Sequence, residues 1–193
     1  MLVLASASPR RQELLRNAGI SFAVQPADIL EEPQPGELAR ACAERLATEK
    51  ARAIFSRRPV DIVLGADTVV VVEGEILGKP RDAGDAARML RLLSGKTHQV
   101  TTGVCLVGRA HSDQDSAAVE DVRSETTLVT MSALTEDEIQ AYIATGEPMD
   151  KAGAYAIQGR ASRWIPRIEG DYFNVVGLPI ALVWRMLAER AAL

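Results

Sequence analysis

The chain has 193 residues, 47% hydrophobic and 25% charged, a balance that excludes a disordered, collagenous or coiled-coil protein. Lysine and arginine total 22 and aspartate and glutamate 26, a net charge of −4 that speaks against bulk binding of nucleic acid or other polyanions. A single domain over 1–193 can bury its core without staples, and two cysteines, Cys42 and Cys105, are too few for a disulfide framework or a four-ligand zinc site.

Leu2–Ala5 reads as a short buried strand. Pro9–Ala18 follows as a helix, with Ser8 as N-cap, Pro9 in the first helical position and Gly19 just past the end. Gly36 to about Phe55 reads as a second helix, stopped by Arg57-Arg58-Pro59. Two β-branched runs, Val60–Leu64 and Val69–Val72, are interrupted by Gly65-Ala66-Asp67-Thr68. Glu73-Gly74-Glu75 turns the chain into Ile76–Leu77, and Asp82–Leu93 is an amphipathic helix closed by Gly95. Val100–Val107 and Val119–Met131 are expected to form a hairpin across the polar loop His111–Ala118. Thr135 and Glu138 make a capping box for a helix ending at Gly146. Asp150–Leu178, rich in glycine, carries short strands near Ala154–Ile157 and Trp164–Ile168, and a last helix runs from Pro179 to about Arg190. The fold class is α/β, a mixed twisted sheet flanked by helices. The opening apolar run Met1–Ala5 is too short for a signal peptide. No stretch reaches the roughly 18–20 apolar residues of a membrane span, so the expected location is cytoplasmic.

Chemistry concentrates at a few points. Ser6-Ala7-Ser8-Pro9-Arg10-Arg11 leads a strand into a helix start, where free N–H groups and the positive end of the dipole point outward. Two arginines there oppose the dipole, and a bound anion removes the conflict. The alternative is a solvated helix start whose arginines pair with nearby acids. Asp67 puts a carboxylate at the end of a buried strand, where it can hold a metal, serve as a base or simply occupy a turn. Lys79, between Gly78 and Pro80, suits a point-charge contact with phosphate, against the alternative of a solvated lysine. Glu31 and Glu32 lie in a proline-flanked loop. Lys50, near the C-terminal end of the second helix, reads on its own as compensation of the helix dipole. Ser94-Gly95-Lys96-Thr97 imitates the end of a P-loop, but Leu90 stands where the first glycine is required and a helix precedes it. His98 and His111 show neither metal-ligand spacing nor a Ser–His–Asp arrangement.

Taken together, these segments resemble the Maf family of nucleoside triphosphate pyrophosphatases. The motifs are Ser6-Ala7-Ser8-Pro9-Arg10-Arg11, Glu49-Lys50-Ala51, Gly65-Ala66-Asp67-Thr68-Val69-Val70 and Gly78-Lys79-Pro80-Arg81-Asp82. Ser94-Gly95-Lys96-Thr97-His98-Gln99-Val100, Gly146-Glu147-Pro148-Met149-Asp150-Lys151-Ala152-Gly153-Ala154-Tyr155 and Asn174-Val175-Val176-Gly177-Leu178-Pro179 follow in order, so the resemblance spans nearly the whole chain. It implies a Maf/ITPase-like fold with two lobes around a central cleft. It also implies a cytosolic homodimer acting on a nucleoside triphosphate, with neither nucleic acid nor membrane as partner. The implied reaction is metal-dependent cleavage between the α- and β-phosphates, giving the monophosphate and pyrophosphate.

By resemblance, Asp67 matches the family's proton acceptor and metal ligand. Glu31, in Ala27-Asp28-Ile29-Leu30-Glu31, matches the metal-associated glutamate; Leu30 replaces an aspartate of the family pattern, and Glu32 is the alternative ligand. Ser6, Arg11, Lys50 and Lys79 match residues of phosphate binding or turnover. Arg10, Thr68 and Gln158 match the positions of substrate choice, in the pattern of the dTTP/UTP pyrophosphatase subgroup. Ala156 stands where a glycine is common, which costs loop freedom but leaves Gln158 in place. Such a set is chemically coherent: the carboxylates can hold a divalent cation, Mg²⁺ or Mn²⁺, and the basic residues can stabilise the phosphates. A reading from another class is a nucleotide-binding regulator of septum formation or cell division with little turnover. Glu31, Lys50, Asp67 and Lys79 favour catalysis over that reading.

Overall fold

The β-branched runs pair into one seven-stranded mixed sheet in the computed structural model, which describes residues 1–109 and 117–191. The strands are β1 (Leu2–Leu4), β2 (Ala23–Val24), β3 (Ile62–Val72), β4 (Glu75–Leu77), β5 (Thr97–Arg109), β6 (Ala118–Thr130) and β7 (Arg167–Glu169). The helices are α1 (Pro9–Asn17), α2 (Ala39–Phe55), α3 (Ala83–Leu93), α4 (Glu136–Ile143), α5 (Tyr172–Val176) and α6 (Ile180–Ala191). Three short 3-10 turns, Glu147–Asp150, Ala152–Ala154 and Arg160–Trp164, lie between α4 and β7.

The sheet order is β2-β1-β3-β5-β6-β7, with β1 parallel to both of its neighbours and the other pairs antiparallel. One edge of β3 is covered by β5 from Val63 to Val71. The opposite edge is shared by two short strands: β1 pairs with residues 62–64 and β4 with residues 70–72. Residues 65–69 lie between them, where neither short strand reaches. This interval is where the chemistry collects.

Alternate residues of β3 face opposite layers. Val63 packs with Ala47, Ala51 and Ile54 of α2, and Val69 with Cys42, Ala43 and Leu46. Leu64, Ala66, Val70 and Val72 face the larger core formed with Leu14 and Leu15 of α1, Leu90 and Leu93 of α3, and Val183 and Met186 of α6. Burial on both faces explains why β3 and β5 read as nearly continuous apolar runs. The α2 layer sits unusually close. A Cβ at Gly65 would lie 2.1 Å from the Ala47 carbonyl oxygen, and one at Gly103 would lie 2.3 Å from the Ala43 carbonyl.

Several elements differ from the sequence expectation. The break at Gly65-Ala66-Asp67-Thr68 is absent, and β3 runs through it, because Gly65 serves helix approach and Asp67 has a buried counter-charge, described below. Helix α2 starts at Ala39 and not Gly36, since Gly36 has φ 74 and Glu37 folds back to accept from the Gln34 amide at 2.9 Å. The strand expected over 154–157 gives way to irregular chain after the turn Ala152–Ala154, with left-handed backbone at Gly153 (φ 68) and Ala154 (φ 59). The next strand, β7, begins at Arg167, and Trp164 belongs to the preceding turn. Lys96 and Thr97 lead out of α3 into β5, the reverse of a P-loop. The β5–β6 hairpin is present; its loop from 110 to 116, His111 included, lies outside the described residues.

The Ser8 N-cap and the Thr135–Glu138 capping box are both in place. Cys42 and Cys105 are buried core residues, and burial pushes both thiols up to about 11. Among the described residues no helix is long and apolar enough to cross a membrane.

The glycine contacts generate a stability test. Gly65→Ala and Gly103→Ala must each push α2 off the sheet, because the obstacle is backbone and not a flexible side chain. Each is expected to lower the unfolding free energy by about 2–3 kcal/mol. Urea denaturation checks this as a fall in midpoint at unchanged slope.

Candidate active site

The uncovered stretch of β3 opens into a cleft of about 990 Å³, at the upper end of the size range of small-molecule sites. Its walls come from the β1–α1 junction, the loop before α2, α2 itself, the β4–α3 connection, residues 149–158 and the end of α5. Ser6, Arg10, Arg11, Glu31, Lys50, Asp67, Thr68, Lys79 and Gln158, singled out from the sequence, all line this cleft.

Asp67 points from β3 toward α2. Its Oδ1 accepts from Lys50 Nζ at 2.6 Å, and both side chains are buried. The same ammonium meets Glu31 Oε1 at 2.7 Å, and the second Glu31 oxygen accepts from Lys79 Nζ at 2.7 Å. Asp67, Lys50, Glu31 and Lys79 thus form a chain of alternating charge. Lys50 is not the mere compensator of the helix dipole that its sequence position suggested; it is the buried cation between two carboxylates. Partial burial works against the Glu31 charge, but hydrogen bonds from Lys50 and Lys79 outweigh it and hold the carboxyl down at about 2. Glu31, and not Glu32, is the glutamate engaged with these lysines.

Thr68, the next residue on β3, faces the opposite layer and meets α1. Arg11 donates from Nη2 to the Thr68 hydroxyl at 3.2 Å, from Nη1 to Ser6 Oγ at 3.2 Å and from Nε to the Gly177 carbonyl at 2.8 Å. The Thr68 hydroxyl also pairs with that of Thr102 at 2.9 Å, and Thr102 donates to the Asn174 carbonyl at 3.2 Å. Burial lowers the Arg11 pKa, while the charges of Asp67 and Glu31 oppose the shift; a guanidinium stays charged through such a shift. The expectation of an anion-ready helix start therefore acquires a fixed, buried cation. Arg10 leans across the cleft mouth to Asp150, with Nη1 3.5 Å from the carboxylate.

Sequence reasoning missed Thr102, Asn174, Gly177 and Asp150 as partners of these side chains. Arg11 and Gly177 are separated by 166 positions, so no local pattern could connect them. The one signal was the Asn174-Val175-Val176-Gly177 motif itself, where Gly177 adopts φ 128. His98 lies behind the site. It is buried, its Nε2 is 2.8 Å from the Tyr155 hydroxyl, and burial pushes its pKa down to about 4.

Among the described residues no three His, Cys, Asp or Glu side chains converge as a cage. Two carboxylates, Glu31 and Asp67, meet at one cationic point, the Lys50 ammonium. Mg²⁺ commonly takes one or two carboxylates and completes its shell with substrate phosphates and water, and Glu31 and Asp67 fit that pattern.

Replacing Lys50 by methionine keeps the side-chain length but strips the buried Asp67 of its counter-charge. Lys50→Met is expected to cost about 3 kcal/mol of stability at neutral pH, in the range for one lost partner of a buried pair. Added Mn²⁺ should restore part of that loss by binding the freed carboxylates. Chemical denaturation with and without the ion measures both.

Comparison with known proteins gives the site a context. The Maf-like protein family matches residues 1–190. A protein of Koribacter versatilis named dTTP/UTP pyrophosphatase is 56% identical over 192 residues, covering 100% of this chain and 95% of its own. One of Symbiobacterium thermophilum with the same name is 52% identical, covering 97% and 93%. Among solved structures, the Staphylococcus aureus Ham1 protein is 14% identical with a TM-score of 0.44, covering 67% of this chain and 71% of that one. A family match running from the first residue to α6, and relatives identical at more than half of the aligned positions, place the chain in the Maf family.

Proposed function

We propose that this Maf-family chain is a nucleoside triphosphate pyrophosphatase that hydrolyses dTTP and UTP, and modified pyrimidine triphosphates, to the monophosphate and pyrophosphate. The observation that carries the reading is the alternating chain Asp67–Lys50–Glu31–Lys79 at the uncovered edge of β3. Its relatives' name, dTTP/UTP pyrophosphatase, supplies the substrate class. The working unit is one Maf-like domain over 1–193, acting in the cytoplasm as a homodimer on free nucleotide, without nucleic acid or membrane.

Glu31 and Asp67 would hold a divalent cation, Mg²⁺ or Mn²⁺. That cation supplies charge neutralisation and polarisation of the α-phosphate. Asp67 accepts the proton of the attacking water as the new bond to the α-phosphorus forms and the α–β anhydride bond breaks. Arg11, already aimed by Ser6, Thr68 and Gly177, binds the phosphate chain without having to reorganise. Lys50 and Lys79, freed from Glu31 by the arriving anion, stabilise the charge that gathers on pyrophosphate. Gln158 presents an amide that can both donate to and accept from the carbonyl–NH–carbonyl edge of uracil or thymine. Arg10 and Thr68 close the pocket around it, Thr68 also by steadying Arg11.

Asp67→Asn removes base and metal ligand together while keeping the side-chain shape. Pyrophosphate release should fall by about 10³-fold or more, with the thermal melt lowered less than in Lys50→Met, because the Lys50 ammonium keeps Glu31 and the new amide oxygen as acceptors. Retention of more than about a tenth of the rate, worth ~1.4 kcal/mol of barrier, would overturn the role.

Run in ¹⁸O-water with metal, the wild-type protein should put the label in the monophosphate and release unlabelled pyrophosphate. EDTA should stop both. Appearance of diphosphate and orthophosphate instead would refute α-phosphorus attack, and absence of any turnover would favour the regulator. In the same assay kcat/KM for dTTP and UTP should exceed that for ATP and GTP.

A further inference from the structure

Gln158 enters the cleft from a turn that is secured from behind on both sides. Tyr142, fully buried on α4, donates its hydroxyl to Glu147 Oε1 at 2.8 Å and accepts from the Ala156 amide at 3.2 Å. The same Glu147 oxygen accepts from the Arg160 amide at 3.0 Å. The amides two residues before and two residues after Gln158 are therefore held by one hydroxyl–carboxylate pair. Gly159 donates to the Ala156 carbonyl at 3.0 Å and closes the turn. Gly159 also makes room for the carboxylate, since a Cβ there would lie 2.1 Å from Glu147 Oε1.

The pair is itself anchored. The Tyr142 ring meets Trp164 edge-on at 5.3 Å, the Glu147 amide donates to Thr145 Oγ1 at 3.2 Å, and Lys151 Nζ donates to the Glu147 carbonyl at 2.8 Å. Neither Tyr142 nor Glu147 lines the cleft, whereas Ala156, Ile157 and Gln158 do. Hydrogen bonds to an ionised carboxylate are stronger than neutral ones, so the turn has little freedom to drift. Selection by a hydrogen-bonding side chain depends on its placement to within a fraction of an ångström.

We propose that Tyr142 and Glu147 are positioning residues for base selection. They set where the Gln158 amide stands, and hence the preference for pyrimidine over purine triphosphates, without touching the substrate. The inference rests on the reading of Gln158 as the group that meets the base.

Four proteins test it: the wild type, Y142F, E147Q and Q158A. Each is assayed with UTP, with ATP and with ribose 5-triphosphate, which has no base. Y142F and Q158A should each reduce the UTP-to-ATP ratio of kcat/KM by about tenfold, mainly through the KM for UTP. In Y142F, kcat on UTP and all kinetics on ribose 5-triphosphate should stay within about twofold of wild-type values. E147Q, which keeps an acceptor of the same shape, should fall between wild type and Y142F. Should Y142F melt too low to assay, the E147Q ratio decides by the same criterion. Wild-type selectivity in Y142F and E147Q beside lost selectivity in Q158A overturns the positioning role and leaves the base reading intact. Wild-type selectivity in Q158A overturns both. An equal loss on UTP and on ribose 5-triphosphate marks a general structural role and also overturns the proposal.

Discussion

Helix α2 touches the sheet backbone to backbone, and the site depends on that contact. Gly65 lies two positions before Asp67 on the same face of β3, and Gly103 is the residue paired with Asp67 across β5. Asp67 is therefore flanked by two positions without side chains. Lys50 belongs to the helix turn that spans Ala47 and Ala51, whose backbone presses on Gly65. Any side chain at either glycine would lift the helix and stretch the 2.6 Å contact between Lys50 and Asp67. Buried charges of this kind are tolerated only when geometry is tight and partners are complete.

A second constraint is the two-residue period of the strand. Asp67 and Thr68 are adjacent in the chain and point to opposite layers, one to Lys50 on α2 and the other to Arg11 on α1. In the middle of a sheet such neighbours would never share a ligand. Here β1 stops at Leu4, opposite Leu64, and β4 ends at Leu77, opposite Val70, so the edge of β3 between them is free to let both layers converge. A short parallel strand and a short hairpin on the same edge thus do what a deeper pocket would otherwise require. Gly177 links the two ends of the chain to this point through its carbonyl on Arg11.

The longer helices, the hairpins and their caps were legible because each depends on local spacing, whereas the five-residue α5 lay unread in the glycine-rich segment before α6. Ser8, Thr135 and Glu138 occupy the capping positions their types predict. The interruption of β3 was misread for the reason that made the site: glycine and aspartate are poor strand formers, and only the helix above them explains their presence. Lys50 was ambiguous because its counter-charges come from positions 19 residues before and 17 after it. Residues 154–157 look like a strand in composition, yet they follow left-handed backbone at Gly153 and Ala154 and join no ladder. The site residues were legible by motif, while the contacts that aim them, such as Thr102 and Asn174 behind Thr68, exist only in three dimensions.

Glu31 holds both Lys50 and Lys79, so the cleft carries its own counter-ion on the loop before α2. Arrival of a polyanion is then an exchange, in which a tethered carboxylate and the incoming oxygens compete for the same two ammonium groups. The tether keeps that competitor at a high effective concentration. A lone orthophosphate offers fewer contacts than a chain of phosphates that reaches Arg11 as well as the two lysines. A competitor tethered in this way favours ligands by denticity: the more points at which an anion grips the cleft, the better it competes with Glu31 for the two ammonium groups.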